Sequence, residues 1–239
     1  MDEVFKSLKK AGIHYIKNDQ EFILEMFEDQ INNPHEADTA IKKLITNLTA
    51  FKERRILFEC PRTLLDQLMF TKRKMVMTGE RVIYTREFTE PINQPPAGYE
   101  VWSIHHEESI AFLSEVMGRS FNDTRRFLTG MQTELPSQVN NMYTVLMIAD
   151  EPAGVVFPHL EPDSDRQGRL FWIGMHPKFS GNGLGQRLHL LGLYRLRNEF
   201  KANSYLGATK IDNTPMRKIM IANGCTQNKN TVLSLEYNS

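Results

Sequence analysis

The chain has 239 residues, with 29 Lys or Arg against 29 Asp or Glu and a formal net charge of +0. That length suits one large or two modest domains, and the charge balance disfavours a polyanion such as nucleic acid as partner. Two cysteines without metal-ligand spacing, Cys60 and Cys225, read as structural thiols in a reducing compartment, with no metal expected. No early apolar run suggests a signal peptide and none is long enough to span a bilayer, so a cytoplasmic protein without a membrane partner is expected.

In chain order, residues 2–17, 19–32 and 35–53 read as three helices. Phe22, Ile23, Met26, Phe27 and Ile31 form one apolar stripe, and Ile41, Leu44, Ile45, Leu48 and Phe51 form another. Residues 55–60 read as a strand, 61–69 as a helix entered through Pro61, and 81–86 as a strand. The triplet Lys72-Arg73-Lys74 is a solvated face, too short to argue for nucleic acid. Prolines 91, 95 and 96 with Gly98 mark a linker that separates a helical and α/β region, 1–90, from a domain at 97–239.

Beyond the linker a strand at 99–104 precedes helices at 106–117 and 123–136. A hairpin follows, with strands at 143–149 and 154–160. Residues 168–175 are an apolar, aromatic-rich strand. The next helix sets Leu184, Leu188 and Leu191 on one face and Arg187, Arg195 and Arg197 on the other. A short strand at 205–209 leads to a helix started by Asp212-Asn213-Thr214-Pro215 and stopped by Asn223-Gly224, and 231–237 is the last strand.

The most informative stretch is Met175-His176-Pro177-Lys178-Phe179-Ser180-Gly181-Asn182-Gly183-Leu184-Gly185-Gln186. A strand enters a turn with glycines at 181, 183 and 185, and the turn opens a helix. Such glycines allow a tight turn and close approach of a ligand, while the free N–H groups of the first helical turn point outward at the positive end of the dipole. A phosphate or pyrophosphate is the natural guest. A dinucleotide fingerprint requires glycine where Gln186 stands. A nucleotide-triphosphatase loop requires Gly-Lys followed by Ser or Thr, and Gly185 is followed by Gln186-Arg187.

Strand, His-Pro and glycine turn together closely resemble the acetyl-CoA loop of the GCN5-related N-acetyltransferases, whose usual pattern is Arg or Gln, then x-x-Gly-x-Gly or Ala. Ser180, Gly181, Asn182, Gly183, Leu184 and Gly185 occupy those places, with Ser180 where the family usually has Arg or Gln. Backbone donors survive that departure. Residues 213–225 are similar to the family's closing element through Asn213, Met216, Ile219, Met220, Gly224 and Cys225. The order of elements over 97–237 is also the family's.

The resemblance implies a mixed α/β (α+β) fold with a central, largely antiparallel, splayed sheet. It implies an N-acetyltransferase that moves the acetyl group of acetyl-CoA directly to an amine in a ternary complex. Backbone groups of Ile173, Gly174 and Met175 would meet the pantetheine arm, positions 180 to 186 (Ser180, Gly181, Asn182, Gly183, Leu184, Gly185, Gln186) would hold the pyrophosphate, and Asn213 would approach the cofactor arm. The acceptor would be a small-molecule or peptide amine, and a homodimer is compatible with the family's habit.

Two departures touch catalysis. The family's tyrosine acid is Met220 here, which donates no proton, and the glutamate base is Arg169. His159 and Glu161 stand two apart near a strand end, where they share a face and form either a proton relay or a solvated strand end leading into an acidic loop. Trp172 and Tyr143 line the acceptor pocket or belong to the core. His176 before Pro177 is expected to be structural. The missing acid and base also leave room for a non-catalytic acyl-CoA-binding or regulatory protein. Finally, strand, helix and strand over 56–88 repeat the order of 205–237, so the N-terminal region reads as a degenerate, partial copy of the same fold or as an unrelated helical extension.

Overall fold

The computed structural model describes residues 2–17, 21–26, 33–48 and 55–237. They fall into two compact units. The first is Met1–Ile83 with Ala208–Asn213 and Asn228–Ser239, and the second is Tyr84–Gly207 with Thr214–Gln227. The proline-rich stretch 89–98 therefore lies inside the second unit, and the first unit takes in strand residues from the C-terminal region.

In the first unit α1 (Asp2–Lys10) ends before Gly12, whose φ of +80° turns the chain into β1 (His14–Lys17). β1 pairs antiparallel with β2 (Glu21–Glu25), which pairs parallel with β3 (Arg55–Pro61). Across β3, antiparallel, lies β10 (Thr226–Tyr237), with Leu233 opposite Cys60 and Leu235 opposite Phe58. The order is β1-β2-β3-β10, then β4 (Val76–Glu87). α2 (Pro34–Leu48) packs Ala37, Ile41 and Leu44 with Leu8 of α1 and with Phe22, Leu24, Ile56 and Phe58 of the strands, all buried. Asp38 of α2 caps α4 (Met69–Lys74), accepting from the amides of Phe70 at 2.8 Å and Thr71 at 2.9 Å; α3 (Arg62–Leu65) precedes it.

Helical readings of 2–17 and 19–32 are corrected here. Phe22, Leu24 and Met26 are buried while Glu21, Ile23 and Glu25 are half-buried, a period of two. Consecutive apolar residues at 22, 23 and 24 satisfy either period, and the parallel pairing with β3 decides for the strand. Residues 27–32 and 49–54, which carry Phe27, Ile31 and Phe51 of the expected stripes, lie outside the described residues. The expected helix 61–69 is two short helices.

The second unit holds β5 (Tyr99–Val101), α5 (Glu107–Met117), α6 (Phe121–Glu134), β6 (Thr144–Ile148), β7 (Glu151–Leu160), β8 (Gln167–Met175), α7 (Leu184–Asn198), β9 (Ser204–Lys210) and α8 (Thr214–Ala222). Lys210 and its two predecessors in β9 are counted with the first unit. The strand order is β9-β8-β7-β6-β5, antiparallel except for β8 with β9. Gly118, at φ +62°, closes α5, and the Ser120 hydroxyl caps α6 through the Asp123 amide. Ala149 and Asp150, both at positive φ, make the two-residue turn between β6 and β7. One sheet face carries Tyr143, Val145, Val155 and Phe157 against α5 and α6; the other carries Leu146 and Val156 against Leu188 and Leu191 of α7.

Both cysteines are buried and free. Burial, aided by the Glu59 charge, pushes the Cys60 thiol up to about 12, and burial pushes Cys225 up to about 11 against the opposing Arg86 charge. An aromatic disulfide reagent at pH 8 is expected to label neither thiol in the native protein and both after denaturation. Rapid native labelling would show that one of these sites opens. Among the described residues no helix is long and apolar enough to cross a membrane.

Candidate active site

β8 pairs with β7 along most of its length, from Leu160 opposite Gly168 to Gly154 opposite Met175, with a register shift where Phe157 alone faces Phe171 and Trp172. A bulge at that point sharpens the local twist. On its other edge β8 meets β9 at Gln167 with Ser204 and Gly168 with Tyr205, and among the described residues that ladder goes no further. The two parallel strands thus separate, and from Leu170 to Met175 the backbone on that edge has no strand partner among the described residues. Ile173, Gly174 and Met175 are all half-buried here; with the His176 amide bonded to the Ala153 carbonyl, alternation turns the backbone groups of Ile173 and Met175 to the open edge and those of Gly174 to β7. Unpaired backbone groups of a strand favour an extended, amide-bearing guest.

The strand then runs into the glycine turn. Pro177–Phe179 is a short 3-10 turn, and Gly181 at φ +84° and Gly183 at φ +73° bring the chain to α7, with Gly183 as its N-cap. A Cβ at either glycine would meet nothing within 4 Å. Their requirement is therefore conformational, since an L side chain is strained at such φ, and the space before them is open to a ligand. Gly185 differs, because a Cβ there would stand 3.1 Å from Ile219 Cδ1, so it serves the close packing of α7 on α8. Among the first-turn amides of α7, that of Gln186 reaches the Gly183 carbonyl at 3.4 Å, while those of Leu184 and Gly185 precede any intrahelical acceptor. Together with the dipole they form a concave donor set, and a pyrophosphate fits that donor chemistry and that open space. Ser180 adds little, its hydroxyl reaching the His176 carbonyl at 3.4 Å. Exposed Asn182 and Gln186 flank the turn, with Leu184 half-buried.

His176 fixes the turn. Its Nδ1 accepts from the Lys178 amide at 3.2 Å, so the proton sits on Nε2 and is donated to Glu115 of α5 at 3.0 Å. The ring stacks on Phe112, centroids 5.6 Å apart at 4°. Lys178 pairs with Glu151 at the start of β7. Behind the turn lies a buried polar chain. The Asn223 carboxamide donates to the Gln186 carbonyl at 3.0 Å and to His189 Nδ1 at 2.9 Å, leaving His189 Nε2–H for the Tyr205 hydroxyl at 3.2 Å. Arg86 donates to the Asn223 carbonyl at 2.7 Å. Burial, reinforced by the Arg86 charge, lowers His189 to about 3, so its ring is neutral.

The remaining candidates separate. Tyr143 is wholly buried and donates its hydroxyl to the Ser109 carbonyl at 2.7 Å; burial raises its phenol far above the usual range, and it reads as core. Trp172 is half-buried on the α5/α6 face, lying over Gly174 so closely that a Cβ on Gly174 would stand 2.2 Å from its ring. Gly174 is thus glycine because of Trp172. His159 and Glu161 share a face, but His159 Nε2 is 3.6 Å from Glu161, too long for a hydrogen bond, and Glu161 holds Arg169 at 3.2 Å. His159 is buried, and its Nδ1 has no partner among the described residues. Asn213 donates to the Thr209 hydroxyl at 3.1 Å. Met220 is buried, with its methyl near Gly207.

Sequence reasoning missed His189, Asn223 and Tyr205. A histidine on the apolar side of the 184–198 helix is the one signal that could have flagged them.

The sequence matches no family model and no curated protein. Solved structures do match. A GCN5-related N-acetyltransferase from Sphaerobacter thermophilus aligns at TM-score 0.64 with 10% identity over 94% of this chain and 75% of its own. One from Kribbella flavida aligns at 0.61 with 12% identity over 98% and 93%. A tandem GNAT protein from the clavulanic acid biosynthesis pathway aligns at 0.64 with 12% identity over 94% and 77%. The chain has the fold of the GCN5-related N-acetyltransferases.

Proposed function

We propose that the protein is an N-acetyltransferase that takes the acetyl group from acetyl-CoA and passes it directly to an amine. The observation that carries this reading is the separation of β8 from β9 after Gly168 and Tyr205, ending at the open glycine turn of α7. In this reading the free edge at Ile173 and Met175 receives the pantetheine arm, and the amides of 181 to 186 receive the pyrophosphate. Bound acetyl-CoA supplies a thioester. The acceptor nitrogen forms a bond to the acyl carbon, the C–S bond breaks, and the proton lost by nitrogen goes to the leaving sulfur, directly or through water. Edge amides of β8 favour the negative charge that develops on the acyl oxygen, and joint binding removes the entropic barrier of bringing two reactants together.

Met220 and Arg169, standing where the fold's usual acid and base would be, favour a second reading, an acyl-CoA-binding protein without turnover. Residues 1–90 fit a degenerate copy of the fold, strand-helix-strand at β3, α3/α4 and β4 against β9, α8 and β10. The test is calorimetric titration with acetyl-CoA and coenzyme A, followed by thiol release across an amine panel. Micromolar binding with amine-dependent release is expected. Binding without release would support the second reading, and no binding by folded protein would overturn both.

A further inference from the structure

The second unit holds a cavity of about 210 Å³ whose floor is Ile104, Ile110 and Leu128 and whose polar wall is His105 with Arg125, Thr129 and Gln132. It is below the roughly 300 Å³ at which pockets for drug-sized ligands begin, so its guest is small. The three floor residues are buried and belong to the same cluster against which Phe171 and Trp172 of β8 pack. The cavity therefore lies on the α5/α6 side of the sheet, the side to which Trp172 is turned.

Its polar wall is one-sided. Arg125, Thr129 and Gln132 recur at intervals of four and three along α6 and so share one helical face. Neighbouring Arg126 is paired with Asp123, but among the described residues no carboxylate pairs with Arg125, whose guanidinium is held 5.0 Å from the Phe121 ring centroid. The Thr129 hydroxyl is spent on the Arg125 carbonyl at 3.0 Å. Among the described residues none that lines the cavity is acidic. An exposed guanidinium over the Phe121 ring, beside a histidine and a carboxamide and above an apolar floor, matches a small molecule with an oxyanion at one end and a hydrocarbon at the other.

We propose that this cavity selects the acceptor, and that the acceptor is an apolar amine bearing an oxyanion, the pattern of an α-amino acid with a hydrocarbon side chain. This rests on the acetyltransferase reading above. Arg125 binds the oxyanion, and the floor takes the hydrocarbon.

The test uses the full chain with three matched probes: leucine, its decarboxylated counterpart isoamylamine, and its phosphonate counterpart. Calorimetric binding in the presence of coenzyme A and thiol release from acetyl-CoA are measured for the parent and for Arg125→Gln and Arg125→Lys. Leucine is expected to bind at least about tenfold more tightly than isoamylamine. Arg125→Gln should remove that advantage by raising Kd and KM for leucine with kcat little changed, leave isoamylamine unaffected, and be partly rescued by Arg125→Lys. A preference for the phosphonate would keep the oxyanion site and change its natural guest to a phosphate. Equal binding of leucine and isoamylamine, or equal loss of both in Arg125→Gln, would overturn the proposal. Oxyanion binding that depends on Arg125 without any thiol release would sustain the site while removing the transferase reading.

Discussion

Replacing Gly183 with Asp is expected to abolish coenzyme A binding while leaving the fold in place. Gly183 has φ +73° and caps α7, and no atom lies within 4 Å of where its Cβ would stand. The new Cβ therefore meets no steric obstacle beyond its own chain neighbours. Left-handed backbone costs a non-glycine residue on the order of 1–2 kcal/mol, less for Asp than for most, and a carboxylate at a helix N-terminus offsets part of that. For a pyrophosphate the same carboxylate is a competitor for the first-turn amides and a like charge at contact distance. A loss of at least about a hundredfold, about 3 kcal/mol, is expected in calorimetric affinity for coenzyme A. Gly183→Asn keeps the tolerance of positive φ without the charge, and its loss should stay within about tenfold. If the Asp variant bound coenzyme A as the parent does, the glycine turn would not be the anion site.

Residues 97–237 were legible because period and punctuation agree there. Gly118 and Ser120 bracket the break between α5 and α6, Asp150 marks the hairpin, and the apolar run of β8 is bounded by Gly168 and Pro177. The N-terminal region misled because Phe22-Ile23-Leu24 fits two periods and because its partner strand β3 lies more than thirty positions away. Parallel pairing of that kind has no local signature. At the site, glycine spacing disclosed the anion turn, since positive φ has few other solutions. It could not apportion roles among the glycines: Gly185 answers to Ile219 and Gly174 to Trp172, contacts made only once the chain is folded. The same holds for Asn223, which reaches Gln186 across 37 positions.

Acid should destabilise the protein through His189, and His189→Gln should remove most of that effect. His189 is fully buried, with desolvation the larger cause and Arg86 the smaller in holding its pKa at about 3 instead of 6.5. As the pH drops below about 6.5 the unfolded chain binds a proton here that the folded chain refuses until about 3. The unfolded state then holds more protons, so stability falls with falling pH across that window and is fully present above it. At about 1.4 kcal/mol per pH unit, the loss at pH 4.5 is about 3 kcal/mol. Glu134, raised from its ordinary value chiefly by desolvation, acts in the opposite direction at the lower end of the window. Urea midpoints from pH 7.5 to 4.5 should therefore slope for the parent and flatten for His189→Gln; equal slopes would assign the acid sensitivity elsewhere. The consequence extends to the anion turn. A proton on His189 Nδ1 would face the Asn223 amide hydrogens, and the carboxamide that now holds the Gln186 carbonyl would have to turn away. That proton arrives only near pH 3, so the effect on coenzyme A affinity should appear there and not between pH 7.5 and 4.5, where the folded turn stays intact in the parent and in His189→Gln alike.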